Sequence, residues 1–146
     1  MLLFVIGVLF IAKNLTSSGP NEPANNLTID QQLKLDVNRL GLAVINFNNG
    51  NEPFEITPQA ATQLRVSYLS EEFNDPRTDK PYTLTTSIPE AGELQYVIGG
   101  VCSPDDSVSQ SNDDENFAIR VLLEENGTLY CIEKSEVEQI PAPPTP

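Results

Sequence analysis

The chain has 146 residues, of which 39 % are hydrophobic, enough for one modest core but not for two. Its 21 acidic and 8 basic residues give a net charge of −13, which argues against binding to nucleic acid or to an anionic membrane surface because phosphate binding requires clustered Lys and Arg. Nucleic-acid binding is effectively excluded, since the basic residues are scattered. The absence of His excludes the common Ser-His-Asp and Cys-His nucleophile systems. Since no Gly-rich phosphate loop is present either, we do not expect an enzyme.

An uncharged apolar run occupies residues 1–12 (MLLFVIGVLFIA). As a helix it would be about 18 Å long, shorter than the roughly 30 Å hydrocarbon layer. Lys13 follows the run, whereas a signal peptide carries its positive charge in front. We interpret it as the second half of a membrane helix that begins upstream, with a complete short anchor as the alternative. In either case we expect a single-pass membrane protein whose globular part lies outside the cytoplasm.

Residues 13–27 are expected to form a linker, since Gly19-Pro20 and Pro23 would break any helix that leaves the membrane. At the other end, the Pro-rich segment 138–146 cannot pack a core and is expected to be a disordered tail. The globular domain is therefore predicted over residues 28–137.

A helix over residues 28–47 is the clearest element of this domain. Thr28 and Gln31 fit a capping box, Asp30 lies in the first turn, and Gly50 follows the predicted end.

This helix has two separate apolar sides. The wider stripe, expected to pack on the protein's own sheet, contains Ile29, Leu33, Val37, Leu40, Val44 and Phe47. Leu35, Leu42 and Ile45 fall on the opposite side. These three residues either meet another subunit or are ordinary exposed aliphatic residues, since much of any protein surface is apolar.

A second helix and several strands follow. Thr57-Pro58 predicts a helix start, because Pro is favoured at the first helical position, and this helix could run to about Ser70. The apolar period then changes to two, which predicts strands over residues 82–86, 94–98 and 117–123, before a last strand that contains Cys131. The expected fold is α+β, with an N-terminal helix packed on a small antiparallel sheet of three to four strands.

Asn126-Gly127 predicts a two-residue type I′ turn between the last two strands. Such a turn would pair Leu123 with Tyr130, Val121 with Ile132 and Arg120 with Glu133. Cys131 would then lie on the sheet face that points away from the aromatic core.

An acidic loop is predicted over residues 103–116 (SPDDSVSQSNDDEN). Its carboxylates are Asp105, Asp106, Asp113, Asp114 and Glu115. Oxygen ligands on a loop can bind Ca²⁺, although the spacing of an EF-hand is absent. We favour a solvated acidic loop, with a calcium site as the alternative.

Cys102 and Cys131 are the two cysteines of the chain, and their spacing fits neither a metal site nor a redox CxxC pair. In an exported protein we expect them to form one disulfide that pins the base of the acidic loop to the last strand. Two free buried cysteines are the alternative. The cross-link would stabilise the domain by roughly 3–4 kcal/mol in the chain-entropy model.

In this order, the elements resemble the type IV pilin and pseudopilin family. Residues 30–51 (DQQLKLDVNRLGLAVINFNNGN) resemble the C-terminal half of a pilin helix. Residues 73–84 (FNDPRTDKPYTL) are similar to the passage into the pilin sheet, and residues 117–131 (FAIRVLLEENGTLYC) to the final hairpin of pilin-like proteins. The chain departs from the family in lacking the glycine cleavage site and the Glu near the start of the mature helix.

The resemblance implies a structural subunit, minor rather than major, of a type IV pilus-like or pseudopilus-like surface filament. Its partners would be other pilin-like subunits, contacted through Leu35, Leu42 and Ile45, and an assembly machinery powered by a cytoplasmic ATPase. No cofactor is implied except the calcium that some pseudopilins bind in the sheet region. The alternative function is a membrane-tethered extracytoplasmic binding domain of pilin-like shape that does not polymerise.

Overall fold

The computed structural model describes residues 27–50, 52–69 and 73–137. The predicted membrane segment 1–12, the predicted tail 138–146 and all of the predicted linker except Leu27 lie outside these residues. The helices in the described part of the chain are α1 (Ile29–Asn48), α2 (Pro58–Tyr68) and α3 (Lys134–Val137).

The strands of the same part of the chain form one central sheet and two small hairpins. In chain order they are β1 (Asn74–Asp75), β2 (Lys80–Pro81), β3 (Thr83–Thr85), β4 (Glu93–Ile98), β5 (Gly100–Cys102), β6 (Val108–Gln110), β7 (Phe117–Leu122) and β8 (Leu129–Glu133). The central sheet has the order β3-β4-β7-β8, while β1 pairs with β2 and β5 with β6. The predicted α+β class, with an N-terminal helix and a four-stranded sheet, is confirmed.

Local sequence determines where the first two helices begin, as predicted. The Gln31 N–H donates to Thr28 Oγ1 at 3.2 Å and the Thr28 N–H donates to the Gln31 side chain at 2.9 Å, which completes the capping box. In α2, the Ala60 N–H donates to Thr57 Oγ1, and Pro58 occupies the first helical position. Both starts satisfy N–H groups that have no partner within a helix.

Helix α1 covers one face of the central sheet with the predicted apolar stripe. Ile29, near the helix start, is 37 % exposed. The other members of the stripe are buried: Leu33, Val37, Leu40, Val44 and Phe47. The core side chains contributed by the sheet include Leu94, Tyr96, Phe117, Ile119, Val121 and Ile132. Because burying one such side chain stabilises a fold by about 1.5–3 kcal/mol, this layer is the main source of hydrophobic stability.

A buried polar link joins α1 to the residue in front of β3. The Tyr82 hydroxyl donates to the carboxylate of Asp36 at 2.9 Å, and Asp36 is only 2 % exposed. Gln32 donates to the same carboxylate at 2.9 Å. Burial, and after it the nearby Asp36 carboxylate, raises the pKa of Tyr82, so the phenol stays protonated and keeps donating. The apolar periodicity of the sequence did not predict this hydrogen bond between Tyr82 and Asp36.

Helix α3, which the sequence analysis did not predict, covers a flank of α1. Val137 is fully buried and lies against Gly41. A Cβ atom at Gly41 would stand 2.6 Å from Val137 Cγ2, so only glycine allows α3 to approach this closely.

The register of the β7–β8 hairpin differs from the prediction by two residues. Val121 pairs with Tyr130 and Arg120 with Cys131, so the predicted pairing is wrong. A shift of two leaves every side chain on its predicted face, because side chains alternate with a period of two. Cys131 therefore still lies on the face away from the aromatic core.

The register differs because the turn is longer than predicted. Residues 124–127 form the connection, and the Leu123 N–H donates to the Thr128 carbonyl at 2.8 Å. Gly127 has a φ of +60°, but Asn126 does not adopt the positive φ that a type I′ turn requires. The carboxylate of Asp30 in α1 accepts the first two N–H groups of this turn at 2.7 and 3.3 Å, which fixes the wider loop.

Strand β3 also departs from the prediction, because it runs parallel to β4. Thr83 lies opposite Glu93 and Thr85 opposite Gln95, so the central sheet is mixed rather than wholly antiparallel. The prediction assumed that the chain turns directly into the next strand. Instead, residues 86–92 run back past β3, so that β4 begins at the same end of the sheet as β3. This connection can be shorter than in most parallel pairs because β3 is only 3 residues long.

The β5–β6 hairpin covers the second face of the central sheet, so part of the predicted acidic loop is a strand. Cys102 forms a disulfide with Cys131 in β8, as predicted. Arg120, 7 % exposed, donates from Nη1 to the Asp106 carbonyl at 3.2 Å and from Nε to the Gln95 side chain at 2.6 Å. Burial lowers the pKa of Arg120, and these neutral oxygen atoms solvate its guanidinium in place of water.

Arg77, held by an ion pair within the β1–β2 hairpin, links this hairpin to the central sheet. Asp75 is fully buried, and its carboxylate lies 2.6 Å from Arg77 Nη2. Arg77 also donates from Nη1 to the Leu122 carbonyl, at the end of β7, at 3.0 Å. Burial alone would raise the pKa of Asp75, but the hydrogen bonds and charge of Arg77 together outweigh it, so the pKa lies below its ordinary value of 3.8.

Replacing both Cys102 and Cys131 with Ser should lower the free energy of unfolding by about 3 kcal/mol, because the cross-link no longer restricts the unfolded chain. Urea denaturation of the variant and of the non-reduced wild type measures the difference. Wild type treated with a reductant should match the variant. Equal midpoints before and after reduction would contradict a stabilising role for the cross-link between β5 and β8.

Replacing Asp75 with Asn should lower the free energy of unfolding by about 3 kcal/mol at neutral pH, because the largely buried Arg77 side chain then has no counter-charge. The lowered pKa means that ionised Asp75 stabilises the fold above about pH 4 and that this contribution disappears as the pH falls through the folded-state pKa. The difference in unfolding free energy between wild type and variant should therefore shrink in acid. Asp79→Asn, an exposed change in the same hairpin, is the matched control. A difference that is constant with pH would contradict this assignment.

Candidate functional site

The side of α1 that faces away from the central sheet is the first candidate surface. We call it the outer face of α1, and it consists of Gln31, Lys34, Leu35, Asn38, Arg39, Leu42 and Ile45. Leu35 is 44 % exposed, as expected for a contact residue. Leu42 and Ile45 are half-buried and pack against the core cluster. Of the three predicted interface residues, only Leu35 therefore presents a large free apolar surface.

The outer face is positively charged in a strongly acidic protein. Lys34 and Arg39 are the basic residues of α1, and both are exposed. Neither acidic residue of the helix lies on the outer face. The Asp30 carboxylate is bound to the β7–β8 turn, and Asp36 is buried, although its Oδ1 lies 3.5 Å from Arg39 Nη1 and partly offsets that cation. The face thus combines one exposed leucine with two cations.

A shallow groove of about 340 Å³ lies beside Leu35. Its lining includes Leu27, Gln31 and Tyr130, and the Lys34 Nζ atom stands 5.1 Å from the centre of the Tyr130 ring. With this lining, the groove extends the apolar surface of Leu35 along the helix. Asn38 also lines it, and among the described residues the side-chain oxygen of Asn38 is buried without a hydrogen-bond partner.

A second candidate surface lies at the C-terminal end of α1. This acidic groove, about 570 Å³ in volume, has an apolar lining that includes Phe47, Ala60 and Ile98. Three carboxylates also line it, those of Glu52, Glu55 and Asp114, and all three side chains are exposed. The groove thus carries the opposite charge to the outer face of α1. The sequence analysis missed it, because its carboxylates come from separate segments and have no common spacing.

A third groove, about 510 Å³ in volume, runs between α2 and the edge strand β3. Leu64 and Leu69 of the α2 region and Leu84 of β3 contribute to its mostly apolar lining. Arg65 spans it by donating from Nη2 to the Tyr82 carbonyl at 3.0 Å. The strand edge and the apolar lining together have the form of a site for an extended peptide.

The structure divides the predicted calcium ligands between two places. Asp105 and Asp106 lie in the turn between β5 and β6, where Asp105 accepts the N–H and hydroxyl hydrogen bonds of Ser107. Asp113, Asp114 and Glu115 lie between β6 and β7. Within residues 27–50, 52–69 and 73–137, no group of three or more His, Cys, Asp or Glu side chains is arranged to hold a metal ion.

Comparison of the chain with protein-family models, with curated proteins and with solved structures finds no significant match. In the described part of the chain, no helix is both long and apolar enough to cross a membrane. Function therefore has to be inferred from the surfaces described above.

We expect the melting temperature to be the same in millimolar calcium and in a chelator, because the acidic side chains do not converge on one point. A site with tenfold excess of ligand over Kd would raise the melting temperature by about 4 °C. Differential scanning calorimetry measures both conditions. A calcium-dependent rise that disappears in the Asp113→Asn, Asp114→Asn variant would instead establish the calcium site.

Proposed function

We propose that this protein is a minor structural subunit of a type IV pilus-like or pseudopilus-like surface filament. The apolar segment 1–12 anchors it in the membrane, and its globular domain lies on the extracytoplasmic side. Other pilin-like subunits and a pilus assembly machinery are its partners. The observation that carries the proposal is the division of α1 into a face buried on its own sheet and an outer face with an exposed leucine.

The position of α1 in the chain supports an assembly role. It is the first described element of the domain and follows the apolar segment across the predicted linker, so anchoring in one membrane would keep the outer faces of neighbouring copies within reach of one another. Anchoring also raises the effective concentration of one copy around another, which allows a weak contact to be used.

The size of the contact supports a minor rather than a self-sufficient subunit. Burying one leucine contributes about 1.5–3 kcal/mol, and the two neighbouring cations add less than that at an exposed site. Such a contact is too weak to hold two soluble copies together. It becomes sufficient when membrane helices supply the remaining contacts.

A membrane-tethered binding domain is the second candidate function, and the groove between α2 and β3 favours it. Val66, on α2 at the rim of this groove, is 78 % exposed, and Ile88, in the loop after β3, is 68 % exposed. An extended apolar segment of a partner could lie along β3 there. This function requires no polymer.

Replacing Leu35 with Ser should reduce incorporation into sheared surface filaments by about tenfold, because most of the apolar contact area of the outer face is lost. The melting temperature should change little, since Leu35 is 44 % exposed. Leu42 is unsuitable for this test because it is half-buried against the core.

Val66→Ser, an exposed aliphatic change on α2, is the matched control. It should leave incorporation unchanged if the protein is a filament subunit. Loss of function on Val66→Ser but not on Leu35→Ser would instead favour the tethered binding domain.

A further inference from the structure

The outer face of α1 and the acidic groove complement each other in charge and in the apolar surface that each exposes. On this face, exposed Leu35 lies between two basic residues, with Lys34 directly before it in the chain and Arg39 about one helical turn after it. The groove offers apolar side chains in which a leucine can be buried, together with carboxylates that can receive the two cations. Each surface supplies what the other lacks.

We propose that Leu35 of one copy inserts into the acidic groove of a second copy of this chain. In this contact Lys34 and Arg39 face the carboxylates of Glu52, Glu55 and Asp114. This contact rests on the proposed filament function, because the filament is where copies of the chain would meet.

Charge complementarity identifies the second copy's acidic groove, rather than its outer face, as the occupant. A symmetric contact between two outer faces would bring four cations together, and like charges across an interface cost several kcal/mol. The protein as a whole carries −13, so two copies repel each other in most orientations. When the basic outer face of α1 of one copy lies against the acidic groove of another, the local electrostatic interaction is attractive.

The two surfaces are different parts of the same copy, so the proposed contact is heterologous. Leu35 and Phe47, one on each surface, are 12 positions apart in α1, which corresponds to about 18 Å along the helix axis and about 120° around it. Each copy therefore keeps one surface free for a further copy, and such a contact builds an open helical row wherever the rotation between copies does not close into a ring. The proposed filament corresponds to the open row.

Charge exchange in the full-length, membrane-anchored protein tests the contact. The variant Lys34→Glu, Arg39→Glu should lower the yield of sheared filaments about tenfold, and so should Glu52→Lys, Glu55→Lys, because each sets like charges against each other. Combining all four changes should restore the yield to within about threefold of wild type, since the charges then match again. Lys80→Glu, a charge change on the exposed strand β2, should have no effect.

Photo-crosslinking identifies the contact directly. A photoreactive phenylalanine analogue in place of Leu35 should crosslink to residues 52–60, 98 or 114 of a second copy, as mapped by mass spectrometry. The same analogue in place of Val66 should not, because Val66 lies outside both surfaces. Thermal unfolding of each variant establishes that it folds.

The outcomes separate this contact from the filament function itself. Filaments that form normally in both charge-reversed variants, or a Leu35 crosslink that maps only to other sites, would overturn the contact and leave the filament function standing. A Leu35-to-groove crosslink in membranes without any filament fraction would establish the contact and overturn the filament function. Failure of the four-residue exchange to restore assembly would show that charge does not select this contact.

Discussion

The whole domain depends on covering both faces of one small sheet. A four-stranded sheet has two apolar or semi-polar faces, and a chain of this size has few elements with which to shield them. Helix α1 shields the first face with its buried stripe, and the β5–β6 hairpin shields the second. The remaining polar contacts serve these two layers. Asp36 ties α1 to Tyr82, Asp30 ties the start of α1 to the β7–β8 turn, and Arg120 holds the hairpin.

Those features of the fold that follow from neighbouring residues could be predicted from the sequence. The beginnings of α1 and α2 were correct because capping hydrogen bonds are made by side chains within one helical turn. The buried stripe of α1 was predicted correctly because five apolar side chains recur at helical spacing on one side of the helix, and burying them determines which side faces the sheet. The face of Cys131 was correct even though the register was not, since alternation depends only on odd and even positions.

Features that depend on distant residues could not be predicted in this way. The longer β7–β8 turn is held by Asp30, which lies more than ninety positions earlier in the chain. The apolar pattern of α1 did not reveal that Leu42 and Ile45 pack partly against the core cluster, because that contact depends on the arrangement of elements distant in the chain. The same limit applied to the candidate site: Leu35 could be found by periodicity, but the acidic groove is assembled from Glu52, Glu55 and Asp114 by the fold alone.

The disulfide has a mechanical consequence for a protein held between a membrane anchor and a partner. Tension applied through α1 and through the segment after α3 passes from Cys102 directly to Cys131 along the covalent link. Residues 103–130, which include β6 and β7, are therefore excluded from the loaded path. Strand β7, one of the two inner strands of the sheet, carries none of this tension, so stretching would unfold α1 while the loop closed by the disulfide stayed intact.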